Sequence, residues 1–317
     1  MHLQKRLIVT VAINYGKEKL NVFIKSILEN CPNCDVLFLC DKKVSEDIKK
    51  YYPGFKNRFY FRRIDFFSYM RIKNQFFLKF ISKIFIIIFR LNNFFSSKKN
   101  INKKNLESFK PGKFTTLNSH FLLRRFIWYS NINILRKYDY IYLTDCRDVF
   151  FQNDPFSNFS FKDKFIYSGS EPECIGDNVI NKSWIKDAYF RNTKIYKNLN
   201  DKSIICAGVT LGSRDLILDY LERMKEEIVN YIELNKKNEI INLDQAFHNK
   251  IFSYDNLPGY RIDNENKFIS TIGYFNKFDL HVDRDNKRII VDGKLPSVIH
   301  QYDRSNFLKD IIEEWYY

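Results

Sequence analysis

The first 64 residues alternate between strand and helix patterns, and this alternation most strongly limits the folds available to the chain. Runs rich in β-branched and aromatic residues at 7–13, 35–39 and 59–64 predict three strands. Between them, apolar residues at helical spacing predict helices over 17–30 and 44–52. Because strands that are joined through helices form parallel sheets, the sequence predicts an α/β fold.

The rest of the chain has the length and apolar content to extend this sheet. The chain has 317 residues, of which 45% are hydrophobic, and this composition excludes a disordered protein. Further strands are predicted over 140–143, 165–168 and 204–211, and long helices over 116–137 and 214–233. The six cysteines form no compact paired framework, so we expect reduced thiols in a cytoplasmic protein. No apolar run reaches the roughly 18 residues of a transmembrane helix.

Residues 66–104 depart from this pattern, because they contain nine Lys or Arg residues and no Asp or Glu. If 75–93 is helical, Lys79, Lys83 and Arg90 form a narrow cationic stripe on an otherwise apolar helix. Such a helix suits the interface of an anionic membrane, in whose plane it would lie. The alternative is a core or oligomer helix whose lysines reach outward. No nucleic-acid-binding motif accompanies these charges, so we expect no nucleic-acid partner.

The stretch 138–156, YDYIYLTDCRDVFFQNDPF, places two carboxylates directly after a predicted buried strand. In open α/β sheets, ligands bind beyond the carboxyl ends of the strands. Asp145 and Asp148 therefore suit a hard divalent cation, which can bridge a diphosphate. The alternative is a capped turn in which both acids accept hydrogen bonds from backbone amides. These residues alone support the two interpretations equally.

Three later segments add candidate ligand-binding residues. Gly208 lies inside the predicted strand of AGVTLG, which indicates a close approach of backbone or ligand. Asp244 and Gln245 begin a predicted helix, and an N-cap is the alternative role for Asp244. The segment VIHQYDR ends a short strand at His300, a residue type that commonly binds metals.

In this order, the segments resemble glycosyltransferases of the GT-A fold, which move a sugar from a nucleotide diphosphate donor to an acceptor. The ordered set is similar to the glycogenin and galactosyltransferase branch, and it comprises Asn14-Tyr15, YIYLTDCRD, AGVTLG, LDQAFHN and VIHQYDR. The resemblance implies one catalytic domain over 1–317, with a Rossmann-like, mixed, mostly parallel sheet flanked by helices and a basic helical insertion at 66–104. Two departures are the spacing of the acids, which is Asp-any-Asp in the family, and the missing Lys-Pro-Trp after the late histidine.

The resemblance implies a Mn²⁺ or Mg²⁺ ion bound by Asp145, Asp148 and His300. Either both acids bind the ion through a wider turn, or Asp148 binds it while Asp145 holds the donor ribose. A histidine ligand favours Mn²⁺.

For the transfer itself, we expect Asp244 to act at the reacting sugar or the acceptor, as the base or as an orienting group. Glu171 and Glu173, on the loop SGSEPECIGDN predicted after the strand 165–168, are the rival candidates for the base. Arg147 and Arg304 are candidate clamps for the diphosphate, and a salt bridge to a neighbouring acid is the alternative role of Arg147. The residues expected to contact the donor are Asn14, Tyr15, Asp41, Asp145, Gly208, Gln245 and Arg304.

The expected function is sugar transfer to a glycan or a lipid-linked glycan, in polysaccharide biosynthesis at the inner face of a membrane. A non-catalytic membrane-surface binding protein is one alternative. A nucleotidyltransferase is another, although its Gly-rich, Lys-bearing phosphate loop is missing, since Gly16 stands alone after the first strand.

Overall fold

The structure is a computed structural model that describes residues 4–55, 57–64, 121–157, 164–234 and 243–317. The predicted basic insertion at 66–104 lies outside the described residues. Among those that are described, no helix combines the length and the apolar character that crossing a membrane requires.

The described residues form twelve strands and eight α-helices. The strands are β1 (Arg6–Ala12), β2 (Cys34–Cys40), β3 (Phe59–Arg63), β4 (Tyr140–Thr144), β5 (Val149–Phe151), β6 (Ile166–Cys174), β7 (Ser203–Ser213), β8 (Tyr260–Asp263), β9 (Ile269–Thr271), β10 (Leu280–Asp283), β11 (Arg288–Val291) and β12 (Val298–His300). The helices are α1 (Lys17–Asn30), α2 (Lys42–Tyr51), α3 (Phe121–Ser130), α4 (Val179–Ala188), α5 (Thr193–Leu199), α6 (Arg214–Leu234), α7 (Asp244–Asn249) and α8 (Asn306–Tyr316).

A seven-stranded sheet in the order β3-β2-β1-β4-β7-β6-β8 forms the centre of the described structure. Within this sheet β7 alone is antiparallel to its neighbours, while the other six strands run in one direction. The predicted mixed, mostly parallel α/β sheet is therefore confirmed. The carboxyl ends of β1 and β4 meet at the same edge, because these two strands are parallel neighbours.

The four middle strands β2, β1, β4 and β7 are buried on both faces, which explains why they are nearly continuous runs of apolar and small residues. Successive side chains of a strand point to opposite faces. Accordingly Leu7 and Val9 pack in the hydrophobic cluster that contains α3 and α6 residues, whereas Ile8 packs in the cluster that contains α1 and α2 residues.

A smaller sheet brings the C-terminal part of the chain against the central one. In it β12 lies between β5, to which it is antiparallel, and β9, to which it is parallel. This pairing sets His300, the last residue of β12, opposite Val149, the first residue of β5. His300 therefore lies next to the turn that follows β4.

Two sequence predictions were wrong about where elements end. The helix predicted over 116–137 ends at Ser130, where the side chains of Ser130 and Asn131 both donate to the carbonyl of Ile127, and a 3-10 turn follows from Asn133. The loop predicted after Ser168 is a continuation of β6 to Cys174, paired irregularly with β7. Glu171 is therefore a strand residue.

His248 is fully buried in the core, and its ionisation makes the stability of the fold depend on pH. The ring nitrogens of His248 lie 2.9 Å from Ser168 Oγ and 2.7 Å from the hydroxyl of Tyr220. Burial, with the nearby charge of Arg125 acting in the same direction, lowers the pKa of His248 to about 3. The folded protein therefore keeps this imidazole neutral at pH values at which the unfolded chain protonates it.

We expect this histidine to make stability depend on pH, with the loss on the acidic side. As pH falls below about 6.5, the unfolded chain binds a proton at His248, whereas the folded chain binds it only near pH 3. Between these pH values, the free energy of unfolding therefore falls by roughly 1 kcal/mol per pH unit. The variant His248→Gln lacks this contribution. Urea unfolding of both proteins between pH 7.5 and 4.5 measures it, and a stability difference that did not change with pH would contradict the assignment.

Candidate active site

A cleft of about 440 Å³ opens where the carboxyl ends of β1 and β4 meet the end of β12. Its walls combine carboxylates, guanidinium groups, an imidazole and amide side chains. The lining residues are Val11, Tyr15, Arg125, Asp145, Cys146, Arg147, Asp148, Trp184, Cys206, Ala207, Gly208, Asp244, Gln245, His300, Gln301 and Arg304.

Asp145, Asp148 and His300 converge on one point of this cleft. One ligand atom from each residue lies within 4.8 Å of the other two. Nε2 of His300 is 3.8 Å from a carboxylate oxygen of Asp145 and 3.8 Å from one of Asp148. Ligand atoms of a single ion with bonds of about 2.1 Å lie roughly 3–4 Å apart, so this donor set fits a small divalent cation.

The imidazole of His300 is held with Nε2 toward the acids. On its other side, Nδ1 lies 3.4 Å from the hydroxyl of Thr271 and 3.5 Å from the sulfur of Cys206. Partners of this kind commonly orient metal-binding histidines.

The three groups differ in their preference for the charged form. Burial alone would raise the pKa of Asp145, but Arg125 and His300 lower it to about 2. Burial raises the pKa of Asp148, and the charge of Asp145 acts in the same direction. Burial would lower the pKa of His300, yet Cys206 and Asp145 raise it. The side chains of Asp145, Asp148 and His300 together thus favour a positive charge between them. A proton on His300 supplies this charge, and a bound cation would supply it in its place.

The close approach predicted at Gly208 is confirmed. The backbone of β7 passes so near the acids that a Cβ at Gly208 would lie 2.6 Å from Cε1 of His300 and 2.7 Å from Oδ2 of Asp145. The carbonyl of Gly208 also accepts a hydrogen bond of 2.7 Å from the amide of Asp145. Glycine is required at position 208, because His300 and Asp145 occupy the space that a side chain would need.

Arg125 is a central residue of the cleft that sequence reasoning missed. Its guanidinium is buried and forms salt bridges with Asp145 and with Asp244, where the Nη2–Oδ2 distance is 3.0 Å. The same Nη2 lies 3.1 Å from the carbonyl of Ala207. Burial would lower the pKa of Arg125, but the two acids raise it. The available signal was a pair of arginines inside the apolar helical run FLLRRFIWY.

Asp244 points into the cleft because α7 is fixed on β7. The N-cap of α7 is Leu243, without a side-chain hydrogen bond, so Asp244 is not the cap. Asn249, one turn later, bonds both the amide and the carbonyl of Ile205 at 2.9 Å. Gln245 lines the cleft and donates to Asn181 at 2.8 Å.

The two predicted phosphate-binding arginines both line the cleft. Arg147 is paired with Asp148 at 3.0 Å and with Asp303 at 3.3 Å, so the alternative role given by the sequence, a salt bridge to a neighbouring acid, is present. Arg304 is more exposed and lies 3.9 Å from Asp303. Both guanidinium groups keep solvent-facing surface from which a ligand could be bound.

Of the three residues predicted to contact the nucleoside, which are Asn14, Tyr15 and Asp41, one lies in the cleft and two lie outside it. Tyr15 lines the cleft, whereas Asn14 and Asp41 lie outside its lining. The carboxylate of Asp41 accepts from the amide of Asn14 at 2.7 Å and from that of Val44 at 3.0 Å. Asp41 therefore caps α2 and fixes the turn after β1, where Asn14 adopts a positive φ of 57°.

A second cavity of about 300 Å³ adjoins the first and contains Glu171 in its wall. Glu171 is buried, and burial raises the pKa of its carboxyl. The two cavities have four lining residues in common, which are Trp184, Gln245, Gln301 and Arg304. The molecule thus offers two adjoining spaces, one beside the candidate cation site and one beside a buried acid.

Comparison with known proteins gives a structural likeness and no sequence match. The sequence matches no protein-family model and no curated protein. A crystal structure of an active-site mutant of LgtC is similar over 97% of this chain and 94% of that chain, with a TM-score of 0.51 and 12% sequence identity. Galactosyltransferase LgtC with donor and acceptor sugar analogues is similar over 97% and 95%, with a TM-score of 0.48 and 12% identity. The apo form of mouse xyloside xylosyltransferase 1 is similar over 94% and 97%, with a TM-score of 0.47 and 10% identity.

The first of these likenesses extends over nearly the whole of both chains and shows the fold class. The protein has a GT-A fold, in which a mixed, mostly parallel central sheet is flanked by helices. The fold predicted from the sequence is confirmed at this level.

The variant Gly208→Ala tests the fit between β7 and the candidate ligands. We expect at least tenfold weaker Mn²⁺ binding by calorimetry and a destabilisation of about 1–3 kcal/mol, because the added methyl group must displace His300 or Asp145. The same substitution at Gly54, where a Cβ would meet no atom within 4 Å, is the matched control. Equal Mn²⁺ affinity in the two variants would contradict the arrangement.

A second test concerns the buried pairing of Arg125. The variant Arg125→Met leaves Asp145 and Asp244 without their partner, and we expect a loss of roughly 3 kcal/mol or more in the free energy of unfolding. The control Arg223→Met breaks the more exposed pair with Asp219, which we expect to cost less than about 1 kcal/mol. Denaturant unfolding measures both losses, and similar values would show that the Arg125 pairs contribute no more than a surface pair.

Proposed function

We propose that the protein is a glycosyltransferase that moves a sugar from a nucleotide diphosphate donor to a glycan or lipid-linked glycan acceptor. The observation that carries this proposal is the group of Asp145, Asp148 and His300 at the strand ends of a GT-A sheet. Its position agrees with the general rule that α/β sheets bind ligands beyond their carboxyl ends.

Mn²⁺ or Mg²⁺ is the metal that this donor set suits, and the mixed carboxylate and imidazole ligands favour Mn²⁺. Asp145, Asp148 and His300 would hold the ion. When bound, it would stabilise the negative charge that develops on the departing nucleoside diphosphate.

The chain's own cations surround the expected position of the diphosphate. Arg147 and Arg304 line the cleft, and guanidinium groups match phosphate oxygens bidentately. Tyr15, at the end of β1, lies on the side of the cleft where the nucleoside would bind. The acids that now pair with Arg147 limit its mobility and keep its charge near the cation site.

Asp244 is best suited to orienting the donor sugar. One of its carboxylate oxygens lies 3.0 Å from Nη2 of Arg125, and carboxylate oxygens accept hydrogen bonds from sugar hydroxyls. Arg125 thereby acts as a positioning residue, because it holds Asp244 and Asp145 at a fixed separation. Gln245, the next residue, faces both cavities and can bind either substrate.

The second cavity is the proposed acceptor site, and Glu171 is the better candidate for the base. The raised pKa of its buried carboxyl brings it nearer to the pH at which it could exchange a proton with an acceptor hydroxyl. Asn181 and Gln245 supply amide groups in the same wall, which suit a ligand with several hydroxyls.

The cellular location forms part of the proposal. A nucleotide-sugar donor is consistent with a cytoplasmic enzyme, and the basic segment 66–104 is the proposed contact with an anionic membrane surface. This segment lies outside the described residues.

The proposal is tested by binding of nucleoside diphosphates and their sugars, screened by thermal shift with and without Mn²⁺ and confirmed by calorimetry. We expect at least one nucleotide sugar to bind in a Mn²⁺-dependent manner. In Asp148→Asn, which keeps the shape of the side chain but removes a charged ligand, we expect both Mn²⁺ binding and Mn²⁺-dependent donor binding to fall at least tenfold.

The matched control is Asp285→Asn, which changes an exposed acid in the turn between β10 and β11. This control should bind Mn²⁺ and donor like the parent protein. A parent protein that binds no nucleotide sugar with any divalent cation would refute the proposed function, and unchanged binding by Asp148→Asn would refute the proposed site.

A further inference from the structure

Exposed apolar side chains occur next to the second cavity, and the polar chemistry of sugar transfer does not explain them. Val179 is 82% exposed, Ile180 is 58% exposed and Phe275 is 40% exposed. Single exposed apolar residues are ordinary on protein surfaces. Here, however, Ile180 lines the cavity, Val179 stands in the chain between the lining residues Asn178 and Ile180, and Phe275 directly follows the lining residue Tyr274. We call these three residues the apolar rim.

Hydrogen bonds fix the two sides of the apolar rim beside the cavity. Asn178 caps α4 through the amide of Asn181, and its side-chain nitrogen donates to the hydroxyl of Tyr274 at 2.7 Å. Val179 and Ile180 follow Asn178 directly, and Phe275 follows Tyr274. The hydrogen bonds thus join the start of α4, which carries Val179 and Ile180, to the 3-10 turn that begins at Phe275.

The polarity of the cavity changes from its floor to its mouth. The walls contain Glu171, Asn181 and Gln245, whose carboxylate and amide groups suit hydroxyls. Ile180 lies in the wall and also belongs to the apolar rim. A ligand that matches both parts has a hydroxyl-bearing end in the cavity and a hydrocarbon end at the mouth.

We propose that the acceptor is amphipathic, with a sugar in the second cavity and a hydrocarbon aglycone on Val179, Ile180 and Phe275. This inference rests on the proposed function and names the class of its acceptor. The continuity of the cavity with the cleft favours this occupant, since the two spaces share four lining residues and a sugar held in the second cavity would lie next to the candidate cation site. Burying a methylene of the aglycone strengthens binding about fourfold.

The test compares methyl and octyl glycosides of galactose, glucose, mannose and N-acetylglucosamine, each below its micelle concentration. We expect the octyl glycoside of at least one sugar to bind the parent protein ten times or more tightly than its methyl counterpart, as measured by calorimetry. In the double variant Val179→Ser, Phe275→Ser, whose residues line neither cavity, this advantage should fall to about twofold, while the methyl glycoside binds as before.

Phe307→Ser is the matched control, because Phe307 is 63% exposed on α8 and lines neither cavity. This variant should keep the full octyl advantage. An octyl advantage that is absent for every sugar, or that survives the double variant, would overturn the proposal. Self-association of the parent that is lost in the double variant, without an octyl advantage, would assign the apolar rim to a second copy of the chain.

Mn²⁺-dependent donor binding, measured on the same samples, separates the two proposals. A parent protein that binds donor but shows no octyl advantage retains the proposed function and loses the amphipathic acceptor. A parent protein that binds no donor loses the proposed function itself. The thermal midpoint of the double variant should equal that of the parent, since both substituted side chains are exposed.

Discussion

The buried guanidinium of Arg125 is the interaction on which the arrangement of the cleft depends. It contacts Asp145 after β4, the carbonyl of Ala207 in β7 and Asp244 at the start of α7. Two acids brought together in a buried site would repel each other, and each would lose hydration that it has in water. A planar group with donors on two sides compensates both acids at once, which a lysine could not do. The distance between Asp145 and Asp244 is therefore set from inside the fold.

The unusual spacing of the acids also has a structural basis. In TDCRD the residue after Asp145 is Cys146, which is buried and directs its sulfur toward the carbonyl of Val11, while the next residue, Arg147, is partly exposed. Cys146 therefore points into the core and Arg147 toward solvent, and the next residue, Asp148, lines the cleft again. Both carboxylates then lie 3.8 Å from the same nitrogen of His300. This geometry supports the interpretation in which both acids bind one ion through a wider turn.

The sequence predicts the fold class and the ligand cluster better than it predicts the rest of the cleft. Strand ends are visible in the sequence because apolar runs stop abruptly, and parallel neighbours bring such ends to one edge, as with β1 and β4. Arg125 was missed because helical periodicity predicts which apolar residues of the helix are buried. A charged residue in such a pattern is assumed to face solvent, whereas Arg125 is buried. Glu171 was assigned to a loop because the Gly and Pro of SGSEPEC indicate a turn, whereas irregular pairing with β7 continues the strand. Both errors concern long-range contacts that local patterns do not encode.

Gln301 lies between the candidate cation site and the second cavity. Its backbone has a φ of 62°, a left-handed conformation that costs a non-glycine residue on the order of 1 kcal/mol. In this conformation the backbone amide of Gln301 donates to the carbonyl of Asp148 at 2.7 Å. The preceding residue, His300, directs its ring toward Asp145 and Asp148. Its side chain lies over Gly273, where a Cβ would collide with it, and lines both cavities. Because Gln301 contacts the backbone of Asp148 and lines both cavities, a displacement of Asp148 would reach the second cavity through this residue.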